Sequence, residues 1–333
     1  MRKDIVMRPM IILTNAFWLS VSSSFATFDS SLLIYCSMDS AKVTTNYVIN
    51  EANVLPNLTF HGSCIRAADR FGIANRALTL DGSTYISCVV PSNTISKIAQ
   101  GDFSLGIMIK TNYQTGSMDQ RFDIVGMGDP YNNGFFLSLN YSRGRIFLGD
   151  HGYYDTPDTL SNGKWHFLMA TRSNGKVTLY LNGQASDSGA YTNSILPSTD
   201  TFTVGKHGIK SESYFQGDID ELFFYSRALT SDEVNALNRG LTTIPIKIYS
   251  PVDSIVTNPL VFRWASVKNS VAYAVEIDTS ATFAHPIVSV PVEDTTMQLN
   301  ATLPANNYYF RIGTNVDDLS PFYFFDSRKI ICK

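Results

Sequence analysis

The chain reads as an all-β protein of two antiparallel sandwiches, the first larger and carrying one short helix. Three observations predict this. Apolar residues alternate with polar ones over many short segments, the period of strands with one face on a core. Asn-Gly pairs at 133–134, 162–163, 174–175 and 182–183 mark tight turns between such segments. With 12% aromatic and only 17% charged residues, the composition suits packed sheets better than solvated helices. At about 100–200 residues per domain, a length of 333 suggests two domains. A net charge near −3 supplies no basic excess to attract a nucleic-acid backbone, so no nucleic-acid partner is expected.

The first 26 residues stand apart. Arg2, Lys3 and Arg8 precede Met10–Val21, an uncharged and mostly apolar run of 12 residues. Ser24 and Ala26 then place small side chains at −3 and −1 of a cut after Ala26. This is the layout of a secretory signal peptide over 1–26, and it predicts a secreted or cell-surface protein. The run falls short of the roughly 20 apolar residues a spanning helix needs, so no membrane span is expected after its removal. Cleavage removes three basic residues and one acid, leaving 23 against 28 and a net charge near −5. Cys36, Cys64, Cys88 and Cys332 all survive the cut. In an exported protein they can pair in three ways, and Cys64 with Cys88 is preferred because they flank one short segment. No CxxC spacing supports a zinc or redox motif.

The larger domain spans 27–240. Phe103, Leu105, Ile107 and Ile109 share one strand face, and the same alternation recurs in 134–139, 165–169 and 177–181. Many short strands with frequent turns imply a sandwich or jelly roll. One helix follows: Thr230 and Glu233 have capping-box spacing, Val234 and Leu237 form an apolar stripe, and Gly240 can end it. Residues 241–246 read as a connector. In 247–333 the period of two returns at Leu260/Phe262/Trp264, Tyr273/Val275/Ile277 and Tyr308/Phe310/Ile312.

Several motifs resemble the laminin-G-like, concanavalin-A-like jelly-roll family over about residues 30–240. They are Leu33–Asp39, Arg76–Gly82, Gly163–His166, Val177–Gly183, Phe202–Gly205 and, most clearly, Phe215-Gln-Gly-Asp-Ile-Asp-Glu221 running into Tyr225–Thr230. The last segment resembles a type III fibronectin domain through Phe262-Arg-Trp264, Tyr273–Ile277 and the Leu303/Tyr308 pair. These resemblances imply an antiparallel jelly roll followed by an immunoglobulin-like/fibronectin-like β-sandwich. The jelly roll hosts lectins, adhesion modules and glycosidases alike, so it does not fix the function.

Catalytic, metal and ligand sites follow from where the polar residues fall. Related jelly-roll glucanases place alternating carboxylates on one strand face, as a retaining mechanism needs. Here strict alternation puts Asp218, Asp220 and Leu222 on one face and Glu221 on the other, with Ile219 and Phe223. The set is incomplete, and no catalytic residue is assigned. In the resembled family a metal often ties the first strand to the Gly-x-Ile-Asp-Glu strand. Asp39 and Asp220 are the matching positions for a structural calcium, which takes several oxygen ligands. Asp81-Gly82 reads as a turn. Trp165 is in phase with Phe167 and Met169, and Trp264 lies in a core strand, so both read as packing residues. That leaves loop tyrosines as sugar platforms. Tyr131 with Asn133, and Tyr153 and Tyr154 with Asp155, combine aromatic faces with hydrogen-bonding side chains. No HExxH, GxSxG, phosphate-loop or EF-hand pattern occurs.

The expected function is a non-enzymatic adhesion or carbohydrate-binding protein, with a glycan or cell-surface protein as partner and the second sandwich as spacer or partner surface. A structural assembly component of the cell surface and a glycoside hydrolase with a divergent site are the alternatives.

Overall fold

The computed structural model describes residues 30–114, 121–129, 132–149, 152–241, 246, 248–251, 255–267, 270–315 and 322–333. The expected signal peptide, Tyr131 and most of the connector lie outside these residues. The protein is all-β: an antiparallel jelly-roll sandwich followed by a smaller β-sandwich. Among the described residues the first domain holds two eight-stranded sheets. The first runs Gln184–Ala190, Lys176–Leu181, Trp165–Ser173, Phe103–Lys110, Gln216–Tyr225, Ala77–Asp81 and Ile65–Ala67. Leu32–Cys36 pairs with the latter half of Gln216–Tyr225. The second sheet runs Gly152–Thr159, Arg143–Leu148, Asn132–Asn140, Arg121–Asp129, Thr201–Val204, Tyr85–Val89, Leu58–His61 and Tyr47–Val48.

The core lies between the sheets, where alternation sends one face of every strand inward. Leu105, Ile107 and Ile109 from the first sheet meet Phe135, Leu137 and Phe202 from the second, all fully buried. Phe224 stacks on Phe202 at 5.3 Å between ring centroids and tilts against Phe135 at 5.8 Å. Each such side chain contributes about 1.5–3 kcal/mol by leaving water.

The outer face of the first sheet is also covered. Tyr35, Phe167, Met169 and Phe223 pack there with Val234 and Leu237 of the Ser231–Asn238 helix. This cluster continues without a break through Leu241 and Ile246 into Phe262, Trp264 and Tyr308 of the second domain. The connector therefore has buried ends, and the two sandwiches share one apolar seam.

The Ser231–Asn238 helix begins as its sequence predicts. Thr230 Oγ1 accepts from the Glu233 amide at 3.3 Å, and Glu233 Oε2 accepts from the Thr230 amide at 2.8 Å. Arg227 then clamps both oxygens of Glu233, at 2.6 and 2.8 Å. A second helix, Ser92–Gln100, adds to the one expected. Its apolar stripe is only Ile95, Ile98 and Ala99, too short to stand out from strand alternation, yet all three are buried. Among the described residues no helix is long and apolar enough to cross a membrane.

The second domain pairs a three-stranded sheet, Ile248–Ser250, Val261–Trp264 and Thr296–Gln298, with a five-stranded one. The latter is ordered Ile255–Val256, Tyr323–Cys332, Asn306–Asn315, Ala272–Asp278 and Val288–Val292. Trp264 is buried edge-on to Tyr273, with centroids 5.5 Å apart. The Tyr308 hydroxyl donates to the Pro304 carbonyl at 3.2 Å, the hydrogen bond of a tyrosine corner.

All four cysteines are free thiols, so the Cys64–Cys88 bridge is not formed in this structure. Cys64 lies where the chain crosses from the second sheet to the first, whereas Cys88 points into the core that also holds Cys36. Burial pushes the Cys88 thiol up to about 12. Burial, with Cys88 adding, raises that of Cys36.

Candidate functional site

A cavity of about 780 Å³ opens on the outer face of the first sheet, above its central strands. Its floor comes from Met108 and from Asp220 and Glu221. The 69–76 loop forms one wall, and Asn238 and Arg239 at the end of the second helix form another. Trp165 and Asn182 close a third side.

The floor depends on a break in the Gln216–Tyr225 strand. Asp220 pairs with Met108 and Phe223 with Gly106, so three residue steps on one strand face two on the other. This is a β-bulge. Glu221 takes a left-handed φ of +43° and lines the cavity beside Asp220. Strict alternation would have sent Glu221 to the opposite face and Leu222 outward. Instead Leu222 belongs to the inner core and Phe223 to the outer cluster. Asp218 is engaged outside the cavity lining, bound by Lys110 at 3.0 Å and by the Thr79 hydroxyl at 2.6 Å.

Asp220 is 4% exposed and its Oδ1 accepts the Glu221 amide at 2.8 Å. Burial, reinforced by the charge of Glu221, pushes its carboxyl up to about 9. Glu221 meets Arg70, with Nη2 3.2 Å from Oε2 and both side chains under a tenth exposed. Asp69 shapes the wall: one oxygen accepts the amides of Phe71 and Ile73 at 2.9 and 2.8 Å. That turn leaves Phe71 64% exposed at the rim.

Trp165 is half-buried, not a core residue. It begins its strand, beyond the full cover that Phe167 and Met169 receive in the outer cluster. The Lys110 ammonium lies 5.7 Å from the centre of its ring. Asn182, the first residue of the Asn-Gly turn, is held by its side-chain oxygen accepting the Phe167 amide at 3.0 Å. His166 is buried in the sheet with Nε2 at 3.0 Å from Asn162 Oδ1, and burial lowers its pKa.

Asp39 and Asp220, the expected calcium positions, thus line one cavity. Asp39 pairs with Arg76 at 3.5 Å, and Glu221 with Arg70. Among the described residues no group of three or more His, Cys, Asp or Glu is arranged to hold a metal ion. Guanidinium groups thus lie on two of the carboxylates that line the cavity.

The other predicted residues lie on the second sheet and do not converge. Tyr131 falls outside the described residues. Asn133 is exposed near the start of the Asn132–Asn140 strand, where its carbonyl accepts the Ser198 amide at 3.1 Å. Tyr153 and Asp155 share the outer face of the edge strand around Arg145, which lies 4.0 Å from the Tyr153 ring centre and forms an ion pair with Asp155. Tyr154 faces the other way, packs on the core and donates to the Ala190 carbonyl at 3.0 Å. The residues that sequence reasoning missed are Trp165, Arg70, Phe71 and Glu221. The clue for Glu221 was the run Leu222–Tyr225, whose four large apolar residues cannot all continue the acidic face.

Residues 80–235 match the concanavalin A-like lectin/glucanases superfamily. Over those residues the jelly roll is similar to that superfamily. No curated protein matches the chain. Among solved structures, this jelly-roll protein is similar to domain 4 of the extracellular arabinanase AbnA from Geobacillus stearothermophilus, solved with arabinotriose. The identity is 20% over 62% of this chain and 98% of that one, with a TM-score of 0.47. It is similar to a botulinum neurotoxin type C structure concerned with two ganglioside molecules, at 13% identity over 86% and 71% of the chains and a TM-score of 0.49. A Trypanosoma rangeli sialidase aligns at 14% identity and a TM-score of 0.47, over 64% of this chain and only 33% of the sialidase.

Proposed function

We propose that the jelly roll is a non-enzymatic carbohydrate-binding module of an exported adhesion protein, and that its glycan seats in the cavity beside Trp165. The observation that carries this reading is a half-buried tryptophan lining a cavity of about 780 Å³ that also presents amide, carboxylate and guanidinium groups. Sugars present apolar C–H faces to aromatic rings and hydroxyls to amides and carboxylates. The cavity supplies both, with Trp165 and Phe71 for the first and Asn182, Asp39 and Arg239 for the second. The superfamily match supports the reading, because lectins are among its members by name. A glycan array probed with the chain and with Trp165→Ala tests it. Binding that the variant loses is expected; no glycan bound by either protein would overturn it.

The second sandwich serves in this reading as a fibronectin type III-like spacer. Its two sheets, the buried Trp264 and the Tyr308 hydrogen bond support that assignment.

A glycoside hydrolase is the second reading, favoured by two adjacent carboxyls in one cavity. Asp220 is raised toward protonation while Glu221 is paired with a cation. Release of reducing ends from a bound glycan, abolished in Asp220→Asn, would replace the binding-only reading with this one.

A further inference from the structure

We propose that Arg70 takes the place of a divalent cation, so that the acidic wall of the cavity is neutralised by the chain itself and the jelly roll is indifferent to calcium. The bulge turns Glu221 onto the same side as Asp220, and both are more than nine-tenths buried. Glu221 is a buried carboxylate, with Asp220 raised toward protonation and Asp69 in the wall beside it, and it requires a positive partner.

Arg70 supplies it, and two of its contacts, to a carboxylate and to a backbone carbonyl, are of the kinds a hard cation would make. One guanidinium nitrogen, Nη2, lies 3.2 Å from the Glu221 carboxylate. The other, Nη1, donates to the Asn238 carbonyl at 2.6 Å, at the end of the Ser231–Asn238 helix. Helix C-termini favour positive charge. Nη1 also approaches the Met108 sulfur at 3.4 Å on the central strand. A single guanidinium therefore cross-links the bulged strand, its neighbour and the covering helix.

The loop that carries Arg70 is built to hold it. Asp69 fixes the turn through the Phe71 and Ile73 amides, and the Arg70 guanidinium lies 4.9 Å from the Phe71 ring centre. At the mouth Arg76 pairs with Asp39 at 3.5 Å, a more exposed contact that salt screens. A calcium ion entering here would have to expel a guanidinium that cannot lose its proton.

The test uses the full chain as wild type, Arg70→Ala and Arg70→Lys. Each is melted in EDTA and in millimolar calcium, and the wild type is titrated with calcium chloride by calorimetry. The wild-type melting temperature should be the same in both buffers, with no saturable heat. Arg70→Ala should melt about 5–10 °C lower in EDTA and recover in calcium. Arg70→Lys keeps the charge and should fall between the two, unaffected by calcium. A wild type that loses stability in EDTA, or a saturable calcium heat, would overturn the inference. So would an Arg70→Ala melting curve equal to the wild type's in EDTA. If Arg70→Ala does not fold, the wild-type melts and titration decide alone. Glycan recognition is a separate property of this cavity, read by the array and not by these curves.

Discussion

The Lys110 ammonium lies 5.7 Å from the Trp165 ring centre and 3.0 Å from Asp218 Oδ2. One side chain thus couples the aromatic wall of the cavity to a carboxylate on the neighbouring strand. Lys110 and Trp165 are directly opposite in the ladder, so backbone register sets this contact.

Trp165→Ala should weaken glycan binding about tenfold or more, the loss of at least about 1.4 kcal/mol of stacking and apolar contact. Stability should change far less than in a core deletion, because the ring is half-exposed. Titration calorimetry against an array-selected glycan, beside a urea melt, separates the two effects. An equal loss in Asn133→Ala or Tyr153→Ala would move the site to the second sheet.

Removing the helix cap should cost stability without touching the cavity floor. Thr230→Ala should lower the unfolding free energy by about 1 kcal/mol. Thr230→Ser, which keeps the oxygen, should cost a fraction of that. Urea denaturation followed by circular dichroism measures both.

The stability that His207 contributes should be lost as the pH drops below about 6.5, the ordinary histidine value. His207 is fully buried, and its Nδ1 accepts the Ile209 and Lys210 amides. Burial lowers its pKa against the pull of Asp123 and Asp129, while Arg121 and Lys210 add to the lowering. The folded chain then binds fewer protons than the unfolded one. Its contribution is complete above pH 6.5 and is lost as the pH falls toward the folded value. His61 and His166 are lowered too and act in the same direction. Asp123 and Asp220 are raised by burial and act oppositely. The difference in acid sensitivity between wild type and His207→Gln isolates the imidazole. Identical slopes for the two would contradict this assignment.

Alkylation of the native protein should begin at Cys64. It is the partly exposed thiol, whereas Cys36, Cys88 and Cys332 are buried and raised in pKa. Thiolate is the reacting form, so buried raised thiols should react only after unfolding. Peptide mass mapping of iodoacetamide adducts before and after urea gives the order. Early modification of Cys88 would show the core to be open.

Much of this fold was legible because alternation and turn chemistry are local. The Thr230/Glu233 cap and the buried Trp264 follow from spacing alone. So does Asp81, whose Oδ1 accepts the Ser83 and Thr84 amides and whose pKa falls to about 2. The cavity was half legible. Asp39 and Asp220 were placed together through family resemblance, but their neighbours were not. Glu221 was sent to the wrong face because one bulged residue reverses the phase of everything after it. Trp165 obeyed its phase, yet position along a strand, not phase, decides how far the covering helix reaches. Arg70 sits in a loop, and nothing local says that residue 70 will meet residues 221 and 238.

The apolar seam from Phe167 through Leu241 to Trp264 has a consequence for avidity. Had the sandwiches been joined by a slack tether, the cavity could swivel to meet ligands in any orientation. Welded side chain to side chain, it keeps a fixed bearing relative to the second sandwich. Copies held on a surface through the second sandwich in one orientation would then point their cavities in parallel. If the cavity binds glycans as proposed, such an array would gain strength on a regularly spaced glycan coat and forfeit it on an irregular one.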